Sequence, residues 1–122
     1  MAERPDTAPS KAPDRHSRFL LIVDNDANHL FYAAMLLQRL EYNICTSRTA
    51  EEALEMTSVA LPALVITELK LARMSGLEFA RRLKTDKRTA AVPVIAATKN
   101  FTPALEMECG NNGCVACIRK PM

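Results

Sequence analysis

The chain has 122 residues, of which 48% are apolar and 25% are charged, and its formal net charge is +2. This length predicts a single domain with one core, and so small a charge gives no reason to expect nucleic acid or an anionic membrane as a partner. No apolar stretch approaches the roughly 20 residues of a membrane-spanning helix, and the N-terminus lacks the apolar region of a secretory signal, so we predict a cytoplasmic protein.

The N-terminal residues 1–18 carry three prolines among scattered charges and no periodic apolar positions, which predicts a disordered tail. Residues 19–122 are predicted to form the domain. They open with an apolar run at 19–23, which is typical of a strand buried on both faces of a parallel sheet. An amphipathic helix and a weak strand at 42–46 are predicted next, the helix from apolar residues at helical spacing, namely Leu30, Ala33, Ala34, Leu37 and Leu40.

Two capping-box patterns mark the following two helices. Thr49 with Glu52 predicts a helix that ends near residue 59, and Ser75 with Glu78 predicts one that ends near residue 84. Between these helices the apolar run at 63–68 predicts a third strand. That strand ends on a carboxylate, Glu68.

The C-terminal part repeats this alternation. The run at 92–97 predicts a fourth strand with its proline near the start, where a missing N–H costs least. The pair Thr102–Pro103 predicts a helix start and Gly110 or Gly113 its end, and 115–118 predicts a fifth strand. Five strands alternating with four helices predict an α/β fold with a parallel sheet.

Polar residues follow four of the predicted strands. Ligands of open parallel sheets bind beyond the carboxyl ends of the strands, so these side chains are predicted to meet at one edge. They are Asp24, Asn25 and Asp26 after the first strand, Glu68 after the third, Thr98 after the fourth and Lys120 after the fifth.

In this order and spacing, the motifs resemble the response-regulator receiver domain of two-component signalling. The resemblance covers residues 19–121 and implies a flavodoxin-like, doubly wound sheet with strand order 2-1-3-4-5. It implies a signalling module without enzymatic activity, whose partners are a signalling protein or output domain and a histidine kinase. The motifs that carry the resemblance are Ile22–Asp26, Pro62–Glu68, Met74–Glu78, Pro93–Thr98 and Lys120–Pro121.

The resemblance also implies roles for the polar residues. In the family, an acidic pair helps to bind Mg²⁺, an aspartate accepts phosphate, and a hydroxyl residue and a lysine hold that phosphate. Glu68 stands at the phosphoacceptor position, and Thr98 and Lys120 at the phosphate-holding positions. The metal role falls on Asp24, Asn25 and Glu68, within an acidic pocket that includes Asp26, and Cys117 falls at a switch position that is commonly aromatic.

Four of these positions depart from the family pattern. The carboxylate of Glu68 lies about 1.5 Å further from the backbone than that of an aspartate, and a 1 Å misplacement can slow a reaction by about 10²-fold. Asn25 removes one negative charge from the metal pair, so Mg²⁺ is expected to bind weakly if it binds. Lys99 stands where the family favours a very small residue, and Cys117 offers no aromatic ring to report a change.

Several interpretations of Glu68 are compatible with these departures. Its carboxylate imitates a phosphorylated aspartate, or the site is retired, or Glu68 forms an ion pair with Lys120, which is worth about 1 kcal/mol if it is solvated. All three predict a pseudo-receiver that acts through protein contacts without phosphorylation. The resemblance implies that the fourth helix and fifth strand form the surface for these contacts. The alternative is a conventional receiver that phosphate still switches.

The cysteines support an alternative of another class, a thiol or metal sensor. Cys109, Cys114 and Cys117 follow the spacing C-x4-C-x2-C, which matches part of a plant-type iron–sulfur motif. Cys45 is the only further cysteine, and it is predicted on the edge strand opposite the fifth. Free cysteine is also a common buried apolar residue.

Three remaining features are assigned to the surface or to association. The basic residues of the third helix are predicted to form a solvated face rather than a nucleic-acid site, and His29 is predicted at the surface. The sequence stops after Lys120–Pro121, where the family continues into a final helix. We therefore expect a domain truncated after the fifth strand. Either the sequence is part of a longer protein, or the domain lacks this cover and its exposed apolar surface favours a homodimer.

Overall fold

The computed structural model describes residues 18–120, and they form a five-stranded parallel sheet in the order β2-β1-β3-β4-β5. This confirms the predicted flavodoxin-like fold. The predicted tail lies outside the described residues except for Arg18, as does Pro121. The elements are β1 Phe19–Val23, α1 Ala27–Leu37, a 3-10 helix Gln38–Leu40, β2 Asn43–Ser47, α2 Ala50–Val59, β3 Leu64–Glu68, α3 Gly76–Thr85, β4 Val94–Thr98, α4 Pro103–Asn111 and β5 Ala116–Arg119.

The first strand lies inside the sheet, between β2 and β3. All five residues of β1 are buried, because the run is apolar throughout and both of its faces are covered. Its residue Ile22 pairs with Thr46 of β2 and with Ile66 of β3. The carboxyl end of β1 therefore lies between the ends of two neighbouring strands, next to Glu68.

A side-chain cap begins each of the four α-helices and fixes where the chain leaves the sheet. The carboxylate of Asp26 and the hydroxyls of Thr49, Ser75 and Thr102 each accept a hydrogen bond from a backbone N–H in the first turn of the following helix. A cap of this kind contributes about 1 kcal/mol. Three of the four caps follow from the sequence patterns given above, and Asp26 is the additional one.

The core has two parts, one on each face of the sheet. Phe79 and Leu83 of α3 pack with Leu21 and Val23 on one face, together with residues of α2 and α4. On the other face α1 packs against β1 and β2, in a smaller cluster formed by Leu20, Ile22, Leu30, Ala33, Ala34 and Ile44. Within residues 18–120, α1 is the only helix that contributes to this second cluster.

Several boundaries differ from the predictions by a few residues. Leu40 was predicted on the buried face of the first helix, but α1 ends at Leu37 and Leu40 is 51% exposed in the 3-10 helix that follows. The fourth strand begins after Pro93 rather than before it, since proline cannot donate to the ladder. Helix α4 continues through Gly110, and it is Gly113, with φ +95°, that adopts the left-handed conformation after the helix. None of the described helices is long and apolar enough to cross a membrane.

Candidate functional site

The carboxyl ends of β1, β3, β4 and β5 surround an open pocket of about 240 Å³. The structure brings to it all six polar residues that the sequence placed at this edge. Lys70, Lys99 and Asn100 complete its wall. The six are Asp24, Asn25, Asp26, Glu68, Thr98 and Lys120.

The carboxylate of Glu68 has partners on both of its oxygens. Its Oε1 lies 2.6 Å from the Nζ of Lys120. Its Oε2 accepts hydrogen bonds from the backbone N–H groups of Leu69, at 2.6 Å, and Lys70, at 2.9 Å. The residue is only 8% exposed, and its side chain bends back over the start of the following loop rather than extending into solvent.

Both carboxylate oxygens of Asp24 also have partners. Its Oδ2 lies 2.7 Å from Lys120 Nζ and 2.6 Å from His29 Nδ1, while its Oδ1 accepts the N–H of Asp26 at 2.9 Å. One ammonium therefore bridges two buried carboxylates. We call Asp24, Glu68, Lys120 and His29 the charge network.

The electrostatics of Lys120 follow from this bridge. Burial alone would lower the pKa of Lys120, but the hydrogen bonds of its ammonium to Asp24 and Glu68 outweigh that effect, so its pKa lies above the ordinary value. The ion pair between Glu68 and Lys120 is present, and both residues are buried, so the value of a solvated pair does not apply to it. A buried pair resists separation much more strongly than a surface pair.

His29 was predicted at the surface, and this prediction is wrong. Its side chain is 11% exposed and lies against Asp24, and its Nε2 is buried without a hydrogen-bond partner among the described residues. Side chains in an α-helix tilt toward the N-terminus, so a residue in the first turn of α1 reaches back to the end of β1. The position of His29 three residues after the capping Asp26 is the sequence signal for this contact.

The residues predicted to bind Mg²⁺ do not fit that ion in this arrangement. A hard cation needs free oxygen ligands, but both oxygens of Asp24 and of Glu68 already accept hydrogen bonds, and the Lys120 ammonium lies between them. Across residues 18–120 no set of three acidic, histidine or cysteine side chains is arranged to hold a metal ion. A Mg²⁺ ion on Asp24, Asn25 and Glu68 would require the contacts with Lys120 to open, so the weak site stays a prediction.

The remaining pocket residues lie around this centre. Thr98 is buried and its hydroxyl accepts the N–H of Asn100 at 3.1 Å. Asn25 is exposed, and its backbone carbonyl accepts a hydrogen bond from Arg48. Asp26 caps α1, and the N–H groups of His29 and Asn28 hold the pKa of its carboxyl below the usual value. Lys99 stands exposed at the rim.

Gly76 has a positioning role at this site that the sequence patterns did not reveal. A Cβ atom at this position would lie 2.1 Å from the backbone oxygen of Glu68 and 2.9 Å from the Cα of Leu69. The N–H of Gly76 also donates to the carbonyl of Leu69 at 2.9 Å. Only glycine therefore allows the start of α3 to approach the end of β3 so closely, which fixes the loop that holds Glu68.

Cys117 does not line the pocket but belongs to a separate sulfur cluster with Cys109 and Cys114. All three are buried free thiols, and their sulfurs interact. Burial, followed by the hydrogen bond with Cys117, raises the pKa of Cys109 to about 12. Cys45 is buried on β2, at the opposite edge of the sheet.

The arrangement of these thiols argues against a thiol or metal sensor. Cys109 and Cys117 do meet, although one lies on a helix and the other on a strand. The metal version is nevertheless wrong for the described part of the chain, because no group suited to a metal ion is found there. A buried thiol with a raised pKa is also a poor nucleophile, because the thiolate is the reactive form.

Comparison with known proteins now defines the class. The family model of the response regulator receiver domain matches residues 20–122, so the chain belongs to that family. It is 30% identical over 103 residues to the polar-differentiation response regulator DivK of Brucella ovis, a match that covers 84% of this chain and 83% of that protein. The chain is thus a signalling module of two-component systems.

Solved structures agree with this fold. The chemotaxis response regulator CheY4 of Vibrio cholerae superposes with a TM-score of 0.81 at 22% identity, covering 87% of this chain and 88% of that chain. A response regulator from Desulfuromonas acetoxidans gives a TM-score of 0.76 at 28% identity, with 86% and 85% covered.

Proposed function

We propose that this receiver domain is a pseudo-receiver, a cytoplasmic and non-enzymatic module that signals through protein contacts without being phosphorylated. The observation that carries the proposal is the double occupation of Glu68. One of its carboxylate oxygens is held by Lys120 at 2.6 Å, and the other is held by two backbone N–H groups. Its partner is a signalling protein or an output domain.

The contacts of Glu68 remove what phosphoryl transfer requires. The reaction needs an oxygen free to attack phosphorus, and positive groups free to stabilise the charge that develops. In this site the nearest cation, Lys120, is already bonded to the carboxylates of both Glu68 and Asp24. An attack by Glu68 would have to break charge-assisted hydrogen bonds, each worth about 1.5–3 kcal/mol.

The same contacts support one permanent conformation. Glu68 of β3 and Lys120 after β5 are joined across the pocket without any added group. Cys117, at the switch position, is buried in the sulfur cluster and leaves no ring to rotate. The domain accordingly presents a constant surface to its partner instead of alternating between two.

Exposure to acetyl phosphate with Mg²⁺, followed by intact mass analysis, tests the proposal. The wild-type protein is expected to show no adduct of about 80 Da, the mass of one phosphoryl group. A conventional receiver treated in parallel verifies the donor. An adduct that maps to Glu68 contradicts the proposal.

The Glu68→Asp variant is the matched comparison in this experiment. It removes one methylene and shortens the reach of the carboxylate by about 1.5 Å. It weakens the contacts with Lys120 while restoring the residue type of the family. If the variant gains an adduct while the wild type has none, the length of the side chain is what prevents the transfer.

A further inference from the structure

The outward face of α1 carries an apolar stripe that consists of Phe31, Tyr32, Met35 and Leu36. These side chains are between 45% and 59% exposed. They line, together with Arg39, an open depression of about 440 Å³. We call them the α1 stripe. Contiguous apolar surface of this kind marks an interaction site, whereas single exposed apolar residues are ordinary.

The stripe cannot be an extension of the core. Leu30, Ala33 and Ala34 form the opposite face of the same helix and pack on the sheet. The four stripe residues therefore point away from the protein. Nothing in the described part of the chain packs over them.

The stripe has the same intervals between its residues whether they are read from the N-terminus or from the C-terminus. Its positions, with the polar residues that flank it, are 28, 31, 32, 35, 36 and 39. If two such helices pack antiparallel about a two-fold axis, Phe31 meets Leu36 of the second copy and Tyr32 meets Met35 of the second copy. Aromatic rings pack favourably on a methionine sulfur, and a two-fold interface requires this kind of self-complementarity.

The charges at the two ends of the stripe match the same arrangement. Among the described residues, the only charged one that lines the depression is Arg39, and it lies beyond the C-terminal end of α1. Antiparallel packing places it beside Asn28 at the N-terminal end of the other helix. The charge of the depression then faces an uncharged residue, and the centre of the stripe contains no charge.

We propose that the α1 stripe is the interface of a homodimer, occupied by the same stripe of a second copy of this chain. The inference does not depend on the chemistry of Glu68. If each of the four side chains exposes roughly 100 Å², about half of a large aromatic residue's buried area, each copy offers roughly 400 Å². That is about half of the 800 Å² per partner in a standard interface, so the dimer is weak, with a dissociation constant of about 10 µM or more.

Sedimentation velocity of the full chain, from about 1 to 500 µM, a range that brackets this constant, tests the proposal. The sedimentation coefficient is expected to rise toward the value of a dimer. The Met35→Glu variant places a charge at the centre of the stripe and is expected to weaken association by at least tenfold. A protein that stays monomeric at the highest concentration overturns the proposal.

Val59→Glu is the matched control. Val59 is 55% exposed at the end of α2, which packs on the other face of the sheet from α1, and it also receives a glutamate. Its variant is expected to dimerise within about twofold of the wild type, since surface substitutions away from an interface have small effects. If Met35→Glu associates as well as the wild type, or Val59→Glu weakens association equally, the stripe is not the interface. Circular dichroism of both variants verifies the fold.

Discussion

The charge network and the sulfur cluster bury ionisable groups in opposite ways. In the network, opposite charges are paired, and the pKa of Lys120 is raised because its ammonium bonds to two carboxylates. In the cluster the pKa of Cys109 is raised to about 12 because burial keeps the thiol neutral. A raised pKa thus keeps Lys120 charged in the network and keeps Cys109 uncharged in the cluster.

The two regions are therefore expected to respond differently to substitution. The charge network is most disrupted when Lys120 is removed, because two buried carboxylates are then left without their cation. A cluster of neutral thiols tolerates change as long as volume is preserved. We therefore expect the pocket to be the sensitive region of this domain and the cluster to be structural.

The largest effect is expected from Lys120→Met. The substitution removes the cation and leaves the carboxylates of Asp24 and Glu68 facing each other while buried. Breaking a buried pair in this way costs about 3–5 kcal/mol, measured as the free energy of unfolding in urea. Lys99→Met at the exposed rim is the control and should change that free energy by about 0.5 kcal/mol or less. A loss below about 1 kcal/mol for Lys120→Met would show that the network is solvated.

Gly76→Ala is expected to have the next largest effect. Its Cβ would lie 2.1 Å from the backbone oxygen of Glu68, so α3 has to move away from β3, at a cost of about 1–3 kcal/mol. Gly110→Ala is the matched control, because Gly110 lies within α4 and no atom lies within 4 Å of an added Cβ. That variant should gain about 0.5–1 kcal/mol. Equal and small effects at both glycines would contradict the close approach.

Alkaline pH is expected to separate the two regions by a smaller effect. A group whose pKa is higher in the folded state than in the unfolded state stabilises the protein at pH values below its unfolded-state pKa. This stabilisation is lost as the pH rises toward the folded-state pKa. For Cys109 this decline begins near pH 9 and ends near 12, whereas for Lys120 it begins only above about 10.5. Urea unfolding between pH 8 and 11 measures it. Cys109→Ala should reduce the part that begins near pH 9, to which Cys114 also contributes, because burial raises its pKa as well. A stability that is constant up to pH 11 would contradict the shift of Cys109.

The fold was predictable because its determinants are local. Continuous apolar runs predict the buried strands, and Thr49, Ser75 and Thr102 mark helix starts through their own side chains. Once the strand order is known, the positions of Asp24, Glu68 and Lys120 at one edge follow from topology. The prediction therefore needed no knowledge of side-chain conformations.

The details of the site were not predictable, because they depend on side-chain conformations that local patterns do not determine. Spacing does not reveal that Glu68 bends back to the N–H groups of Leu69 and Lys70, because that depends on the path of the loop. The contact of His29 with Asp24 and the closeness of Gly76 to Glu68 also depend on how helices pack at the strand ends.

A pseudo-receiver is expected to keep its charge network in one state whether or not a phosphate donor and Mg²⁺ are present. A ¹H–¹⁵N correlation spectrum of the labelled protein, recorded before and after acetyl phosphate and Mg²⁺ are added, measures this most directly. The amides of Leu69 and Lys70 report on the site, because both donate to Glu68. Their resonances are expected to stay in place, and a new set of resonances for these two amides would overturn the proposal.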